Sequence, residues 1–252
     1  MRKELIATLS ILGSLAASGA AAAQTCATPP SCETLGFTKS ETDCDGLEAL
    51  KCPFDQSKLY CPQGGGNMSA AAPGAILYSD GTISDSVIAS KTPVGIVAYV
   101  NGSTGFAVAL TESNQTWGGY GYNVSCLGDM DSGAASADMN GRVNTQCLVS
   151  DSQTHPAANY CNTFSAVSSG KGSSGWYLPA AGELKAMSYS YGAINLGLQK
   201  LSKTQISSSY YWSSSEGGTN GNHAWVVRPS DGYMKYNYSK NNSIPVRCVI
   251  AL

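Results

Sequence analysis

Short apolar runs separated by turn residues recur along the chain after residue 74, and this spacing predicts a β-rich domain. Two of these runs flank Asn101-Gly102, a dipeptide typical of tight hairpin turns. A second hairpin is predicted around Asp231-Gly232. The predicted strands cover residues 75–78, 94–100, 106–110, 224–227, 233–238 and 246–252.

Two short helices interrupt this pattern. They are predicted around 156–164 and 180–189, and in each case a proline, Pro156 or Pro179, stands where the first turn begins. Strands that form hairpins, with only two helices between them, indicate an α+β class with an antiparallel sheet.

The amino terminus resembles a secretory signal peptide. Arg2 and Lys3 precede an apolar run that ends in small residues, and we place the cleavage site after Ala23. A retained anchor is the alternative, but the run is short and interrupted by Ser and Gly. We therefore expect a secreted chain with no membrane span after cleavage, located in the periplasm or at the extracellular cell surface.

A run of glycines, Gly64 to Gly66, opens a small-residue segment that divides the mature chain. We expect a Cys-rich module at 24–62, a Gly/Ala linker at 63–73 and the main domain at 74–252. The module is too short to rely on an apolar core, so disulfides are expected to stabilise it.

The chain has nine cysteines, and all of them follow the signal peptide. In an exported protein they are expected to form disulfides. Five lie in the small module, so their pairing and the fate of the odd thiol stay open. The four in the main domain, Cys126, Cys147, Cys161 and Cys248, allow three connectivities.

Composition favours recognition over catalysis. The formal net charge of −2 becomes about −3 without Arg2, Lys3 and Glu4, which argues against a nucleic-acid partner. The last forty residues are crowded with Tyr, Asn, Ser and Gly, a mixture typical of binding surfaces. The same residues are also common in the strands and turns of ordinary extracellular β-domains.

Several blocks carry a family resemblance. In order, GAILYSDGTIS, KTPVGIVAYV, DMNGRVNT, GWYLPAAGELKAM, YYWSSSE, HAWVV and PVRCVIAL resemble the Lcl C-terminal and FISUMP group of bacterial C-type-lectin-like domains. The resemblance runs from about residue 74 to 252. It implies a C-type-lectin-like fold with paired amino and carboxyl strands, two helices and a ligand-facing surface built by the carboxyl-terminal half.

The resemblance also implies which cysteines pair, whereas the roles of the large apolar residues follow from burial energetics alone. The elements that carry Cys161 and Cys248 should lie side by side, so these two are expected to pair and to leave Cys126 with Cys147. Large apolar residues near the predicted element ends are expected to be scaffold: Trp176, Leu178, Leu184, Trp212 and Trp225.

Two carboxylates within the motif blocks have more than one interpretation. Glu183 and Glu216 each stand near Trp or Leu in the sequence. Each is expected to pair with Arg247 or to cap a helix, and the alternative is a contact with ligand.

Metal and cofactor sites are not expected. The sugar-binding calcium motifs of related lectins are missing from the sequence, and the acidic cluster Asp129, Asp131 and Asp138 is expected to be a solvated loop. The two histidines lack a zinc-ligand spacing. No catalytic residue is identified and we expect no enzyme; a relative of formylglycine-generating oxidases is the minor alternative.

The function expected from sequence is ligand binding by an adhesin or receptor-like protein, with an unknown protein or glycan as partner. Diversification of the segment 207–242 by a diversity-generating retroelement is a further hypothesis, because its Asn and Tyr codons are open to adenine mutagenesis. The alternative is a structural cell-surface or minor fimbrial component.

The predicted contact set lies in the carboxyl-terminal segment. Strict alternation places Tyr233, Lys235 and Asn237 on one face of the last hairpin and Met234 on the other, with Tyr236 and Tyr238. The first face is expected to be exposed. The full set is Tyr210, Asn220, Asn222, His223, Arg228, Tyr233, Lys235, Tyr236, Asn237, Tyr238 and Asn241.

Overall fold

The computed structural model describes residues 72–102 and 104–252 in full, together with the backbone of residues 37–39, 50–52 and 55–62. The expected signal peptide at 1–23 lies outside these residues, as does most of the linker at 63–73. Within the Cys-rich module three strands are described: β1 (Phe37–Lys39), β2 (Leu50–Cys52) and β3 (Asp55–Pro62). They form an antiparallel sheet with β3 in the centre.

The main domain combines antiparallel sheets with short helices, as the α+β class predicts. Its strands are β4 (Ile76–Tyr78), β5 (Ile83–Ser84), β6 (Pro93–Asn101), β7 (Thr104–Ala109), β8 (Ser113–Gln115), β9 (Trp176–Tyr177), β10 (Tyr211–Gly217), β11 (His223–Arg228), β12 (Tyr233–Ser239), β13 (Ile244–Val246) and β14 (Val249–Ala251). Its helices are α1 (Ser132–Ala137), α2 (Gly141–Ser150), α3 (Pro156–Thr163), α4 (Ala181–Ser188) and α5 (Tyr191–Lys200).

A six-stranded sheet with the order β5-β4-β6-β7-β14-β9 forms the base of the domain. The predicted hairpin at Asn101-Gly102 joins β6 to β7, where Gly102 adopts a left-handed φ of 60°. The direct pairing expected between the amino and carboxyl strands does not form. The β6–β7 hairpin lies between them, so β4 pairs with β5 and β6, whereas β14 pairs with β7 and β9.

Three helices and several strands arise where no local pattern predicts them. Helices α1 and α2 form in a Gly-, Ser- and Asn-rich segment, and Asp131 caps α1 by accepting a hydrogen bond from the amide of Ala134 at 2.8 Å. The third unpredicted helix is α5. Strand β10 is unexpected because its centre is Ser213, Ser214 and Ser215, all fully buried. Ser213 donates to the carbonyl of Trp225 at 2.8 Å, which shows how a serine can occupy a buried strand.

Both faces of the large sheet are covered. Ile76, Ile96 and Val108 pack with α4 and α5 on one face, and Leu77, Ala107 and Ile250 pack with α3 on the other. The five predicted scaffold residues are all buried, with Leu178, Leu184 and Trp212 at 0% exposure. Burying each such side chain contributes about 1.5–3 kcal/mol.

Two disulfides tie the carboxyl-terminal half together. Cys161 on α3 bonds Cys248, which lies just before β14 rather than within it, and Cys126 bonds Cys147 on α2. These are the two pairs expected from the resemblance. Such cross-links fit an exported protein, because reducing compartments disfavour them. Among the residues described, no helix has the length and apolar character needed to cross a bilayer.

Candidate functional site

The candidate site is built on the second sheet, whose order is β10-β11-β12. Strand β12 forms one edge of this sheet and contains much of the predicted contact set. Its pairing with β11 shifts by one residue between Lys235, opposite Val226, and Tyr238, opposite Ala224. This shift is a β-bulge, and it changes which face the later side chains occupy.

The bulge corrects the predicted division of faces. Tyr238 lies on the same face as Tyr233 and Lys235. The Tyr210 ring contacts the rings of both Tyr233 and Tyr238, and the Lys235 ammonium contacts the Tyr238 ring directly. Met234 packs into the core beneath, as predicted, and Tyr236 packs against Trp225 with ring centroids 5.6 Å apart. Strict alternation fails here because the extra residue follows from pairing with β11, which a single strand's sequence does not encode.

Arg228 organises the first face. Its guanidinium lies 5.5 Å from the ring centroid of Tyr210 and 5.4 Å from that of Tyr233. Asp231 in the following turn accepts hydrogen bonds from Arg228 Nε at 3.0 Å and from Nη2 at 2.5 Å. The guanidinium in turn holds the pKa of Asp231 below its usual range. Tyr210 and Tyr233 therefore flank the Arg228 guanidinium, which Asp231 in the following turn holds in position.

A third tyrosine extends this arrangement along the sheet. The centroid of the Tyr238 ring lies 5.2 Å from that of Tyr210 and 6.2 Å from that of buried Trp212, which Tyr238 meets edge-on. The Lys235 ammonium stands 5.5 Å from the centre of the Tyr238 ring. We call this group the tyrosine cluster, defined as Tyr210, Arg228, Tyr233, Lys235 and Tyr238.

An open groove of about 630 Å³ runs on the other side of β12, between this strand and α1. Consecutive residues of β12 line it, so the edge of the strand as well as its side chains faces the groove. Tyr236 is 55% exposed there, and Lys185 from α4 donates to Ser136 of α1 at 2.6 Å. The full lining is Ser132, Gly133, Ser136, Lys185, Trp225, Gly232, Tyr233, Met234, Lys235, Tyr236 and Asn237.

The remaining predicted residues lie at the opposite end of the sheet. Asn220, Asn222 and His223 occupy the β10–β11 turn and the start of β11, and Asn241 follows β12. His223 pairs with Ser239, whereas Arg228 pairs with Tyr233, so almost the full length of β11 separates this group from Arg228 and Tyr233. Tyr238 pairs with Ala224 and so connects the tyrosine cluster to this end of the sheet. The structure therefore divides the predicted set into two ends of one sheet. None of its members is buried.

Sequence reasoning missed two tyrosines at that second end. Tyr120 and Tyr122 are 48% and 58% exposed, in a loop that docks against the β10–β11 turn. The amide of Gly121 donates to the carbonyl of Gly221 at 3.0 Å, and the Asn123 side chain donates to the carbonyl of Thr219 at 3.0 Å. We call residues 118–124 the tyrosine loop. Its composition, GGYGYNV, resembles that of the carboxyl-terminal segment and was the available sequence signal.

A buried ion pair supports the tyrosine loop from below. Lys240 and Glu216 are both at 0% exposure, and the Lys240 ammonium donates to the Glu216 carboxylate. The same ammonium donates to the carbonyl of Tyr122 at 2.7 Å, while the other Glu216 oxygen accepts from the amide of Val124 at 2.9 Å. Glu216 thus pairs with Lys240 and not with Arg247, and it holds a loop within the protein.

The other carboxylate left open by the sequence caps a helix. Glu183 accepts from the amide of Ala180 at 2.8 Å, before α4, and from the hydroxyl of Tyr177 at 3.1 Å. Burial raises the pKa of Glu183 to about 7, and the nearby Asp138 adds to the shift. Arg247 pairs with Glu112 instead, at 2.9 Å. Glu183 therefore serves the scaffold.

The acidic segment is only partly a solvated loop. Asp129 and Asp131 are exposed, but Asp138 is 5% exposed and accepts from the Asn144 amide at 2.8 Å and the Ser215 hydroxyl at 2.6 Å. The expectation for Asp138 was therefore wrong, because buried donors on α2 and β10 satisfy its carboxylate. Within the described residues, no group of three or more His, Cys, Asp and Glu is arranged to hold a metal ion.

Comparison with solved structures shows a shared fold. A fimbrial protein from Bacteroides ovatus matches with a TM-score of 0.55 and 19% sequence identity, over 70% of this chain and 48% of that one. The chain therefore spans about half of that structure. No curated protein matches the sequence.

Comparison with protein families identifies the carboxyl-terminal half. The Lcl C-terminal domain matches residues 122–250, just over half of the 252-residue chain. The matched region contains both ends of the β10-β11-β12 sheet and all four cysteines of the main domain. The chain belongs to the Lcl C-terminal domain family.

Proposed function

We propose that this protein is an exported bacterial binding protein of the cell surface, which recognises its partner through the β10-β11-β12 sheet. The tyrosine cluster is the observation that carries the proposal. Tyrosine and arginine are among the residues that most often dominate the energy of binding surfaces. Here Tyr210 and Tyr233 flank one positioned arginine, and Tyr238 packs against Tyr210. Tyr233 is 53% exposed, so it has area to offer to a partner.

We further propose that the domain has a C-type-lectin-like fold. Family membership supports the assignment, and so does the way the carboxyl-terminal half builds a separate small sheet above a sheet that includes the carboxyl strand. In that arrangement β10 and most of β11 are buried, whereas the edge strand β12 exposes Tyr233, Tyr236 and Asn237. Binding without catalysis is the corresponding activity, with an extracellular protein or glycan as partner.

An array experiment tests the proposal. Purified protein would be screened against printed glycans and extracellular proteins, beside the variants Tyr210→Ala and Tyr233→Ala and the control Val143→Ala. Val143 lies on α2 and is 63% exposed, so its loss removes apolar surface away from the site. We expect the two tyrosine variants to lose signals that the control keeps. Equal signals from all four proteins contradict the proposal.

Diversification of this surface is a finer proposal. In the segment 207–242, Trp212 and Trp225 are buried, whereas Tyr233, Tyr236 and Asn237 are exposed. A mutagenic process that altered only the exposed positions would preserve the fold. Sequencing the locus in sibling isolates tests this: substitutions confined to adenine-containing codons beside a reverse transcriptase gene support it, and an invariant segment without such a gene contradicts it.

A second candidate function is a structural or minor fimbrial component. The similarity in fold to a fimbrial protein favours it. Immunogold labelling of cells separates the two functions. Label along filaments that are lost on deletion of the gene supports the structural role, and label on the cell body with filaments unchanged supports the binding role.

A further inference from the structure

His155 lies buried directly beneath the tyrosine loop. Its side chain is 0% exposed, and a Cβ placed on Gly119 would come within 2.6 Å of the His155 Cε1 atom. The Trp117 ring meets the imidazole edge-on, with centroids 5.0 Å apart. The backbone of the loop therefore rests on the imidazole with no intervening side chain.

The imidazole is satisfied on one side only. Its Nε2 atom lies 2.9 Å from an oxygen of Asp151, the residue that ends α2, whereas its Nδ1 atom is buried with no hydrogen-bond partner. A neutral ring that donates from Nε2 leaves only a lone pair unmatched at Nδ1. A second proton would make Nδ1 a buried donor with no acceptor, which is costly.

The charges around the ring come from three directions. Asp151 faces Nε2 and favours the charged ring, while the Lys240 ammonium, 4.6 Å from the centre of the same Trp117 ring, opposes it. Glu216 lies behind Lys240 and partly neutralises it. Helix α3, which follows His155, contains no charged residue. No group among these offers an acceptor at Nδ1.

We propose that His155 is an acid-sensitive latch: a second proton on its imidazole releases the tyrosine loop and withdraws Tyr120 and Tyr122 from their fixed positions. Opening the loop would bring water to the Cε1 edge of the ring, between its two nitrogens, because a Cβ on Gly119 would lie 2.6 Å from Cε1 and 3.4 Å from Nδ1. The consequence for partner binding rests on the proposed function, whereas the release itself does not.

The chain contains only two histidines, which supplies a matched control. His155→Gln removes the titrating ring below the loop, and His223→Gln removes the half-exposed histidine at the start of β11. Both variants and the full-length wild type would be studied by NMR between pH 7.5 and pH 5.0, with no ligand. The reporters are the amides of Gly121, Tyr122 and Val124, all hydrogen-bonded within the loop or to its supports.

We expect hydrogen-exchange protection of these three amides, corrected for intrinsic rates, to fall at least about tenfold as the His155 ring titrates. The amide of Ile250 in β14 should keep its protection, which separates release from unfolding. His223→Gln should behave as wild type, and His155→Gln should show no acid step.

The latch is overturned by an unchanged acid step in His155→Gln, or by a wild-type loop that stays protected while the His155 ring gains its proton. A ring that remains neutral down to pH 5.0 also overturns it. If His155→Gln fails to fold, the wild-type comparison of ring and amide titrations decides alone. A failure of binding leaves these measurements unaffected, so the two proposals can fail separately.

Discussion

Lys240 and Glu216 form an ion pair that solvent does not reach, and between them they bind the backbone of the tyrosine loop at Tyr122 and Val124. Buried charges are costly unless they are fully hydrogen-bonded. Here the third partner of the ammonium is the carbonyl of Gly119, at 3.5 Å. The pair links β10 and the residue that follows β12 to a loop about a hundred residues earlier in the chain.

Removing one member of this pair should be strongly destabilising. Lys240→Met leaves the Glu216 carboxylate buried and unpaired, so we expect a loss of about 3–5 kcal/mol in the free energy of unfolding. The double variant Lys240→Met/Glu216→Leu should recover part of that loss, because no charge is left behind. Denaturant unfolding of the wild type, Lys240→Met, Glu216→Leu and the double variant gives this double-mutant cycle. A double variant less stable than both single variants contradicts the account.

Glu183 should make stability depend on pH. Its folded-state pKa of about 7 lies above the ordinary value of 4.5, so folding favours the protonated form. The corresponding stabilisation is complete below about pH 4.5 and is lost as the pH rises through about 7. The difference amounts to roughly 3 kcal/mol for this group.

Glu183→Gln supplies the comparison, because an amide oxygen can still accept from the Ala180 amide. We expect the wild type to lose stability relative to Glu183→Gln between pH 5 and pH 8, as followed by urea unfolding. Parallel pH profiles for the two proteins would show that Glu183 is ionised throughout.

The two disulfides should contribute unequally. Cys161–Cys248 joins residues 87 apart, whereas Cys126–Cys147 joins residues 21 apart. Chain entropy assigns about 4–5 kcal/mol to the longer connection and about 3 kcal/mol to the shorter. The double variant Cys161→Ala/Cys248→Ala should therefore unfold at lower denaturant than Cys126→Ala/Cys147→Ala. If Cys126→Ala/Cys147→Ala unfolded at the lower denaturant concentration instead, the disulfide at α2 would contribute more stability than Cys161–Cys248, contrary to this prediction.

The tyrosine loop contains a matched pair of glycines. Gly119 and Gly121 both have positive φ, at 62° and 85°, but a Cβ on Gly119 would strike His155 whereas one on Gly121 meets nothing within 4 Å. Gly121→Ala should cost about 1 kcal/mol from backbone strain alone. Gly119→Ala should cost about 1–3 kcal/mol more, from overpacking. Thermal unfolding measures both, and equal losses would mean that the loop does not rest on the imidazole.

Local chemistry explains which parts of the fold are predictable. The β6–β7 hairpin follows from Asn101-Gly102, and helix α3 follows from Pro156, because each signal acts within a few residues. Strand β10 does not follow, since Ser213 and Ser215 find acceptors for their buried hydroxyls only in β11 and Asp138. Composition alone gives such a segment the character of a loop.

The candidate site shows the same division. An aromatic, Asn-rich carboxyl segment indicates a binding surface, and the structure places Tyr210, Arg228 and Tyr233 in contact. The position of Tyr238 depends on the bulge, and the position of Tyr120 depends on supports about a hundred residues away. Both are consequences of tertiary pairing and have no local signal.

The most direct test of the central claim is a calorimetric titration of the strongest array ligand with three proteins: wild type, Tyr210→Ala/Tyr233→Ala and Val143→Ala. Loss of a central aromatic contact costs about 2 kcal/mol or more, which is roughly a thirtyfold weaker affinity. We predict at least that weakening for the double tyrosine variant and no change for Val143→Ala. Equal affinity for all three proteins, with the fold intact, would contradict binding through the tyrosine cluster.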